Sequence, residues 1–231
     1  MILSGLAKLT LLDFPGRTAC TVFTGGCNFR CPFCHNALLV TGGLAGGGDL
    51  SEEDVLAHLR KRQGILDGVC ITGGEPLINR DIDLFIRKIR DLGYAVKLDT
   101  NGSFPDRLES LINDGLLDYV AVDIKNSRKK YGLTVGLSDF DTSTIERTVS
   151  LLKCGRVPYE FRTTVVREFH EEDDFRQIGD WISGAQRYFL QAFSDKGELI
   201  DSSLHGVPKE EMERFAAAAA PFVGSVERRG V

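Results

Sequence analysis

The stretch Cys27-Asn28-Phe29-Arg30-Cys31-Pro32-Phe33-Cys34 places three cysteines at C-x3-C-x2-C spacing within eight residues. It follows the apolar run 18–23 and a Thr-Gly-Gly tripeptide, so we expect the cysteines on a loop that leaves the end of a β-strand. Three thiolates on one short loop can converge on a single soft metal centre. Such a loop is one ligand short of the usual four-thiolate iron–sulfur or zinc site. Either a fourth ligand comes from elsewhere, or one metal position is open to bind and activate something.

A disulfide and a structural zinc site are the alternatives to an iron–sulfur cluster. A disulfide is disfavoured because three cysteines cannot all pair with one another, and we expect no secretory leader. A zinc site normally needs a second pair of Cys or His ligands at short spacing. Cys20 and Cys70 lie in apolar strand-like runs, Cys154 is isolated, and His35 is adjacent to Cys34. The spacing favours a cluster, while zinc stays open as the competitor.

Length and composition predict one globular domain. The chain has 231 residues, 42% of them hydrophobic and 26% charged, with a net charge of −5. We expect a single domain over 1–231, with a core at about 17–195 and a C-terminal helix and tail at 205–231. The net negative charge argues against binding to nucleic acid or to an anionic membrane surface. The apolar runs are too short for a membrane span, and we expect a cytoplasmic, reducing location that keeps thiolates free.

Strand and helix patterns alternate about six times, which is typical of a parallel sheet with crossover helices. The pattern alone does not separate an open sheet from a barrel. Polar residues follow several successive strand ends, which favours a barrel whose active face lies at the carboxyl ends of the strands. The predicted strands are Arg17–Phe23, Gly68–Thr72, Tyr94–Leu98, Tyr119–Ile124, Tyr159–Val166 and Arg187–Phe193, with a small terminal strand at Val223–Val226. The first predicted helix begins at Ser51. The other predicted helices are Asp81–Leu92, Asp106–Asn113, Thr142–Leu152, Glu171–Ile182 and Lys209–Ala220. Residues 1–16 are expected to be a lead-in that ends in a Phe-Pro-Gly turn, 36–40 a short helical turn and 42–48 a glycine-rich mobile loop.

Three motifs together resemble the radical S-adenosylmethionine (SAM) superfamily. They are the cysteine loop with an aromatic residue before its last cysteine, the run Cys34-His35-Asn36, and Ile71-Thr72-Gly73-Gly74-Glu75-Pro76 after the next strand. The run Cys-His-Asn is similar to that of the glycyl-radical-enzyme activases. The opening segment 5–16, GLAKLTLLDFPG, resembles the start of the proteins that activate anaerobic ribonucleoside-triphosphate reductases. The resemblance covers nearly the whole chain and implies a partial, six-stranded (β/α) barrel.

The resemblance implies a [4Fe–4S] cluster held by Cys27, Cys31 and Cys34, with one iron open to chelate SAM. The reduced cluster would pass one electron to the sulfonium and so release methionine and a 5′-deoxyadenosyl radical. Gly73 and Gly74 lack side chains, so their backbone can approach a ligand closely. The resemblance places the methionyl amino group of SAM there.

Other site residues follow from the same resemblance. Phe33 would lie beside the adenine, while Asp99, Thr100 and Asp123 would hold a monovalent cation next to the SAM carboxylate, and Lys125 would meet that carboxylate. Asp123 and Lys125 share one face of their strand because they are two residues apart. A barrel-facing Arg162 is costly unless it is paired, so we expect it to contact SAM or an acidic residue at a strand end. Three further candidates are Glu75, which would add a charge-assisted hydrogen bond, His35 beside the last cysteine, and Gln191, which closes the sixth strand.

The sequence therefore predicts a radical SAM enzyme that cleaves SAM reductively and makes a glycyl radical on a partner enzyme. The expected partner is anaerobic ribonucleoside-triphosphate reductase, and the expected electron donor is a low-potential protein such as flavodoxin or ferredoxin. A second cysteine cluster is missing from the sequence, which favours a minimal activase. Radical SAM chemistry on a small molecule or peptide is the first alternative, and a zinc-stabilised binding protein is the second.

Overall fold

The computed structural model describes residues 1–35, 37, 40, 50–194 and 199–230. The predicted glycine-rich loop at 42–48 and most of the predicted helical turn at 36–40 lie outside this part of the chain. The strands are β1 (Leu3–Thr10), β2 (Ala19–Thr24), β3 (Gly68–Gly73), β4 (Ala95–Thr100), β5 (Tyr119–Asp123), β6 (Tyr159–Val165), β7 (Tyr188–Ala192) and β8 (Val226–Arg229). The helices are α1 (Glu52–Lys61), α2 (Ile82–Asp91), α3 (Pro105–Asn113), α4 (Tyr131–Val135), α5 (Ser143–Lys153), α6 (Glu172–Trp181) and α7 (Lys209–Ala219).

The strands form one sheet in chain order from β1 to β8. Strands β2 to β8 run parallel to their neighbours, and β1 pairs antiparallel with β2. The sheet is not closed, since β1 and β8 are its two edges in the part of the chain that the structure describes. This arrangement confirms the predicted partial barrel and places all carboxyl ends of β2–β7 on one face.

The amino-terminal segment differs from the expected lead-in, because Leu3–Thr10 is a strand. Its residues alternate only weakly between apolar and polar, so the segment carries little strand signal of its own. Pairing with β2, in which Leu6 lies opposite Val22 and Ala7 opposite Thr21, supplies the strand geometry. The short helix α4 was not predicted either, and the terminal strand begins at Val226, where the predicted one ends.

The amino-terminal end of the barrel is closed by the predicted Phe-Pro-Gly turn. Gly16 adopts a left-handed φ of 71°, which brings the chain back into β2. Phe14 is 2% exposed and packs against Ala19 and Tyr119, residues at the starts of β2 and β5. An aromatic side chain therefore fills the end of the barrel opposite the cysteine loop.

The last strand is attached to the barrel by an ion pair whose carboxylate is buried. Arg229 of β8 donates two hydrogen bonds, of 2.8 and 3.0 Å, to the carboxylate of Glu160 on β6, which is fully buried. The hydroxyl of Tyr119 donates to the same carboxylate at 3.1 Å, and the Arg229 guanidinium lies 3.4 Å from the centre of the Phe189 ring. These contacts hold β8 against β7, where it is a seventh parallel strand beside the six of the predicted barrel.

Helices cover the outside of the sheet, and their apolar faces form the core. Helix α1 begins with the expected capping box, in which Ser51 accepts from the Asp54 backbone and Asp54 accepts from the Ser51 backbone. Helix α2 buries Ile82, Phe85 and Ile86 as its spacing predicts. Across residues 1–35, 50–194 and 199–230, the helices are all too short or too polar to span a bilayer.

Candidate active site

The three cysteines of the loop after β2 line one cavity at the carboxyl ends of the strands. The cavity encloses about 230 Å³ and is bordered by the ends of β3, β4, β5 and β6. The loop is fixed by backbone hydrogen bonds from Arg30 to Val135 of α4, at 2.9 Å, and from Cys34 to Cys31, at 3.0 Å. The three cysteines predicted as ligands, Cys27, Cys31 and Cys34, thus border the same cavity.

Two of the cysteine thiols lie in a desolvated environment. Burial raises the pKa of the Cys31 thiol to about 12, although the nearby Lys125 ammonium opposes this shift. Burial also raises the pKa of Cys27, whose sulfur accepts a hydrogen bond from the Phe29 backbone at 3.4 Å. Without a metal these thiols stay protonated at neutral pH, whereas a bound cation would deprotonate them.

Gly73 and Gly74 border the cavity, but their missing side chains chiefly let two backbone segments touch. A Cβ on Gly74 would lie 1.8 Å from the carbonyl oxygen of Gly26, which precedes the first cysteine. A Cβ on Gly73 would lie 2.4 Å from both the nitrogen and the oxygen of Thr24, and Gly73 has a φ of +122°. The backbone of Gly74 donates to Thr24 at 2.9 Å, and that of Glu75 donates to Gly26 at 2.8 Å. The Gly-Gly turn therefore joins the end of β3 to the start of the cysteine loop.

Glu75 lies behind the cavity wall rather than in it. Its side chain is fully buried and accepts hydrogen bonds from the Leu77 backbone (3.0 Å), the Thr100 hydroxyl (2.7 Å) and the Asn101 backbone (2.7 Å). Burial raises the pKa of this carboxyl to about 7, and the three donors act in the opposite direction. In this structure Glu75 ties the loop after β3 to the loop after β4, a role different from the predicted contact with SAM.

Asn101 is a site residue that the sequence analysis treated only as part of a turn. Its amide donates to Asn28 at 2.9 Å and lies 3.9 Å from the sulfur of Cys27. Its carbonyl oxygen accepts from the backbone and the hydroxyl of Ser103, and the Asn28 amide donates to that hydroxyl at 2.9 Å. The amide therefore lies within reach of a candidate metal ligand, and a polar residue directly after Asp99-Thr100 was the only sequence signal for it.

Five charged side chains form an ion array at the cavity wall, and we call them the mouth array; all but Lys97 line the cavity. Arg162 bridges the two carboxylates, donating from Nη1 to Asp99 and from Nε to Asp123, each at 2.9 Å. Lys97 pairs with the other oxygen of Asp99, and Lys125 donates to the other oxygen of Asp123 at 3.0 Å. The predicted pairing of Arg162 with acidic strand-end residues is thus present. Lys97 was not predicted, although a lysine inside the apolar run of β4 and two residues before Asp99 is a recognisable signal.

The pKa values of the array follow from its pairing. Burial alone would raise the pKa of Asp123, yet Arg162 and Lys125 hold it well below its usual range. Asp99 behaves in the same way, because Arg162 and Lys97 outweigh its burial and lower its pKa. Burial would lower the pKa of Lys125, but Asp123 raises it well above the ordinary value. Asp99, Asp123 and Lys125 are therefore charged at neutral pH.

Phe33 and His35 flank the last cysteine and both line the cavity. Phe33 is 4% exposed and packs against Phe169, with ring centres 5.8 Å apart. His35 is exposed, stacks on Phe193 with ring centres 5.1 Å apart, and shares a 2.6 Å hydrogen bond with the backbone oxygen of Ser194. The loop after β2 is thereby connected to the end of β7, on the far side of the cavity.

The predicted site residues line the cavity with the exceptions of Glu75 and Gln191. Gln191 is half-buried on β7, where it pairs in register with Thr164 of β6. Thr164 itself lines the cavity and was missed, although it shares a strand face with Arg162. All six cysteines are free thiols, and no three His, Cys, Asp or Glu side chains in the described residues could hold a single metal ion.

The sequence of the chain was compared with protein families and with known proteins, and it matches both. Residues 21–179 match the family model of the radical SAM superfamily. Over 237 aligned residues the chain is 29% identical to a Methanocaldococcus jannaschii protein named "Putative glycyl-radical enzyme activating enzyme", covering 100% of this chain and 96% of that protein. It is 35% identical over 150 residues to a "Probable GTP 3',8-cyclase" of Saccharolobus islandicus, covering 63% of this chain and 47% of that protein. The chain thus spans about half the length of the cyclase.

A solved structure shares the fold. The crystal structure of Streptococcus suis SuiB bound to S-adenosylmethionine superposes with a TM-score of 0.68 at 14% identity, covering 88% of this chain and 48% of SuiB. At this identity the likeness concerns the fold alone.

Proposed function

The chain belongs to the radical SAM superfamily, and we propose that it is the activating enzyme of a glycyl-radical enzyme. The observation that carries the proposal is the convergence of three cysteines, a Gly-Gly edge and a charged array on one cavity at the strand ends. The full-length similarity to a protein named as an activating enzyme of glycyl-radical enzymes supports the same activity.

The residues of the cavity fit a [4Fe–4S] cluster and SAM. Cys27, Cys31 and Cys34 would hold three irons, and the cavity that they line would accommodate a ligand of the fourth iron. When bound and reduced, the cluster would supply the one electron needed to break the C5′–S bond of SAM into methionine and a 5′-deoxyadenosyl radical, which would take a hydrogen atom from a glycine of the partner. The protein's part is to position the cofactors and to exclude competing donors of hydrogen.

Individual residues have separate tasks in this proposal. The backbone at Gly73 and Gly74 borders the cavity where the methionyl amino group would lie, and Lys125 carries the positive charge for the carboxylate. Phe33 gives the cavity an apolar wall for the adenine, with His35 at its rim. Glu75 and Asn101 act behind this surface by fixing the loops that carry the ligands.

We propose anaerobic ribonucleoside-triphosphate reductase as the partner, with a flavodoxin- or ferredoxin-like electron donor and a cytoplasmic location. The opening segment GLAKLTLLDFPG and the absence of a second cysteine cluster from the sequence support this choice of partner. The similarity to the cyclase favours a second candidate, radical SAM chemistry on a nucleotide. The two candidates differ in whether hydrogen is taken from a protein or from a small molecule.

The first test is anaerobic reconstitution with iron and sulfide, followed by reduction with dithionite in the presence of SAM. We expect 5′-deoxyadenosine from the wild-type protein and none from Cys27→Ala, Cys31→Ala or Cys34→Ala. Cys154→Ala is the matched control, because Cys154 is exposed on the far end of α5. A protein that binds zinc, stays colourless and makes no product would contradict the proposal.

The second test separates the two candidates. We expect a glycyl radical in the electron paramagnetic resonance spectrum when the reduced enzyme, SAM and the reductase are mixed. Replacing the target glycine of the reductase by alanine should remove the signal. If the enzyme instead consumes GTP in proportion to 5′-deoxyadenosine and leaves the reductase unmodified, the nucleotide reaction replaces the activase assignment.

A further inference from the structure

The mouth array bears on how the site neutralises the SAM carboxylate. The resemblance to activases led us to expect a monovalent cation between Asp99, Thr100 and Asp123. Such a cation needs oxygen atoms that are free to coordinate it. The contacts of the three residues show whether such oxygens exist.

Every side-chain oxygen of that set already has a partner. Both oxygens of Asp99 and both oxygens of Asp123 accept from cationic side chains, as described above. Thr100 is 3% exposed, and its hydroxyl donates to Glu75 at 2.7 Å and accepts from the Gly102 backbone at 3.1 Å. A monovalent cation at this position would therefore have to share each of these oxygens with a donor that the protein already provides, and the set fits such a cation poorly.

The charges of the array lead to the same conclusion. Three cations, Lys97, Arg162 and Lys125, face two carboxylates, so the array carries a surplus of one positive charge. The Lys97 side chain is 2% exposed, and those of Arg162 and Lys125 are 12% and 15% exposed, so water screens this surplus only weakly. A weakly screened surplus of this sign repels a further cation and attracts a monoanion.

We propose that the mouth array replaces the monovalent cation and binds the methionyl carboxylate of SAM through its own positive surplus. Lys97 is the residue that makes the replacement possible. Its ammonium is a monovalent charge covalently attached to β4 and already bonded to Asp99. Arg162 then joins this pair to Asp123, and Lys125 presents the surplus charge at the cavity wall. The inference rests on the proposed function, because it concerns the SAM that this function requires.

The test measures SAM binding rather than turnover. Reconstituted protein is titrated anaerobically with SAM in buffers of equal ionic strength that contain only K⁺, only Na⁺ or only tetramethylammonium. We expect the dissociation constant of the wild-type protein to change by less than about twofold among the three buffers. Weakening by tenfold or more in tetramethylammonium would overturn the inference. This measurement needs no variant, so it does not depend on how any substitution folds.

Lys97→Met tests the role of the lysine with little change in side-chain volume. We expect SAM binding to weaken at least tenfold in tetramethylammonium and to recover in K⁺ or Na⁺, because an oxygen of Asp99 is then free to coordinate a metal cation. Lys88→Met is the matched control, since Lys88 is exposed on α2 and pairs with Glu52 at 2.7 Å. A Lys97→Met protein that folds and binds SAM like the wild type in all three buffers would refute the role of Lys97. If the wild type binds SAM in none of the buffers, the proposed function is wrong as well. If the wild type binds SAM only in K⁺ or Na⁺, the inference about the mouth array is wrong but the proposed function stands.

Discussion

Gly74→Ala is the substitution that most directly tests how the Gly-Gly turn holds the cysteine loop. Gly74 does not have a left-handed φ, so an alanine meets no backbone strain of its own there. Its Cβ, however, would lie 1.8 Å from the carbonyl oxygen and 2.6 Å from the carbonyl carbon of Gly26. Both nearest atoms belong to the backbone and cannot rotate away. The cost of the substitution therefore comes from separating two chain segments.

The magnitude follows from the atoms that must move. To reach ordinary contact the Gly26 carbonyl must shift by about 1.5 Å, and such overpacking typically costs about 1–3 kcal/mol. The shift also breaks the 2.8 Å hydrogen bond from the Glu75 backbone to Gly26, which leaves a donor without its partner at about 1–3 kcal/mol. We expect Gly74→Ala to lower the free energy of unfolding by about 2–6 kcal/mol. Gly26 directly precedes Cys27, so its shift should displace the first cysteine and lower iron incorporation as well.

Urea denaturation of the metal-free protein, followed by circular dichroism, measures the loss of stability, and iron content after reconstitution measures the effect on the site. Gly5→Ala is the matched control. Gly5 also lacks a left-handed φ, and its Cβ would meet Phe23 at an ordinary 3.5 Å, so the change should stay within about 0.5 kcal/mol. If Gly74→Ala matches Gly5→Ala in both stability and iron content, the turn does not hold the loop as we argue.

Three further substitutions test other contacts. Burial raises the pKa of Glu75 from 4.5 in the unfolded chain to about 7 in the folded protein, so between these pH values the folded protein keeps a proton that the unfolded chain releases. The stabilisation from this proton is complete below about pH 4.5 and is lost as the pH rises through 7. In urea denaturation from pH 5 to 8, Glu75→Gln should reduce the pH-dependent change in the free energy of unfolding by about 2–4 kcal/mol. A variant with the same pH dependence as the wild type would contradict the raised pKa of Glu75. Asn101→Ala should lower the free energy of unfolding by about 1 kcal/mol. It should also change the visible absorption spectrum of the reconstituted protein, because the Asn101 amide lies 3.9 Å from the Cys27 sulfur, and an unchanged spectrum would argue against that contact. Glu160→Gln should lower the free energy of unfolding by about 2 kcal/mol and expose β8 to proteolysis, because it weakens the pair with Arg229. Glu213→Gln is the control: its pair with Arg228 is exposed, so its removal should leave both stability and proteolysis nearly unchanged.

Local sequence signals were sufficient for the parallel strands and for most of the cavity lining. Apolar runs such as Val69–Ile71 are buried on both faces of the sheet and need no partner to be recognised. Polar residues placed directly after such runs, as in Asp99-Thr100 and Asp123-Ile124-Lys125, lie at the strand ends where the pattern predicts them. Parallel strands bring their ends to one face, and so the fold gathers these residues without any further information.

The contacts within the site depend on register between strands that are distant in sequence. Arg162 reaches Asp99 and Asp123 because β4, β5 and β6 are neighbours with specific residues opposite one another. The burial of Glu75 beneath two loops depends on how the chain turns after β3, which its own sequence shows only as Gly-Gly-Glu-Pro. Strand β1 likewise requires the edge of β2 as its partner. Spacing identifies the residues of such a site, but packing decides which of them face the ligand.

The contacts divide the site into two parts that should respond differently to substitution. Gly74, Glu75 and Asn101 bind one loop to another through the backbone and through buried hydrogen bonds, so they act in the protein without any cofactor. The mouth array pairs charges with charges, and its surplus acts only when an anion arrives. Changes in the first part should therefore appear as lost stability of the metal-free protein, with weaker SAM binding as a consequence. Changes at Lys97 should appear first in the affinity for SAM and in its dependence on cations, because a metal ion in solution can replace that ammonium but cannot rebuild the loop junction.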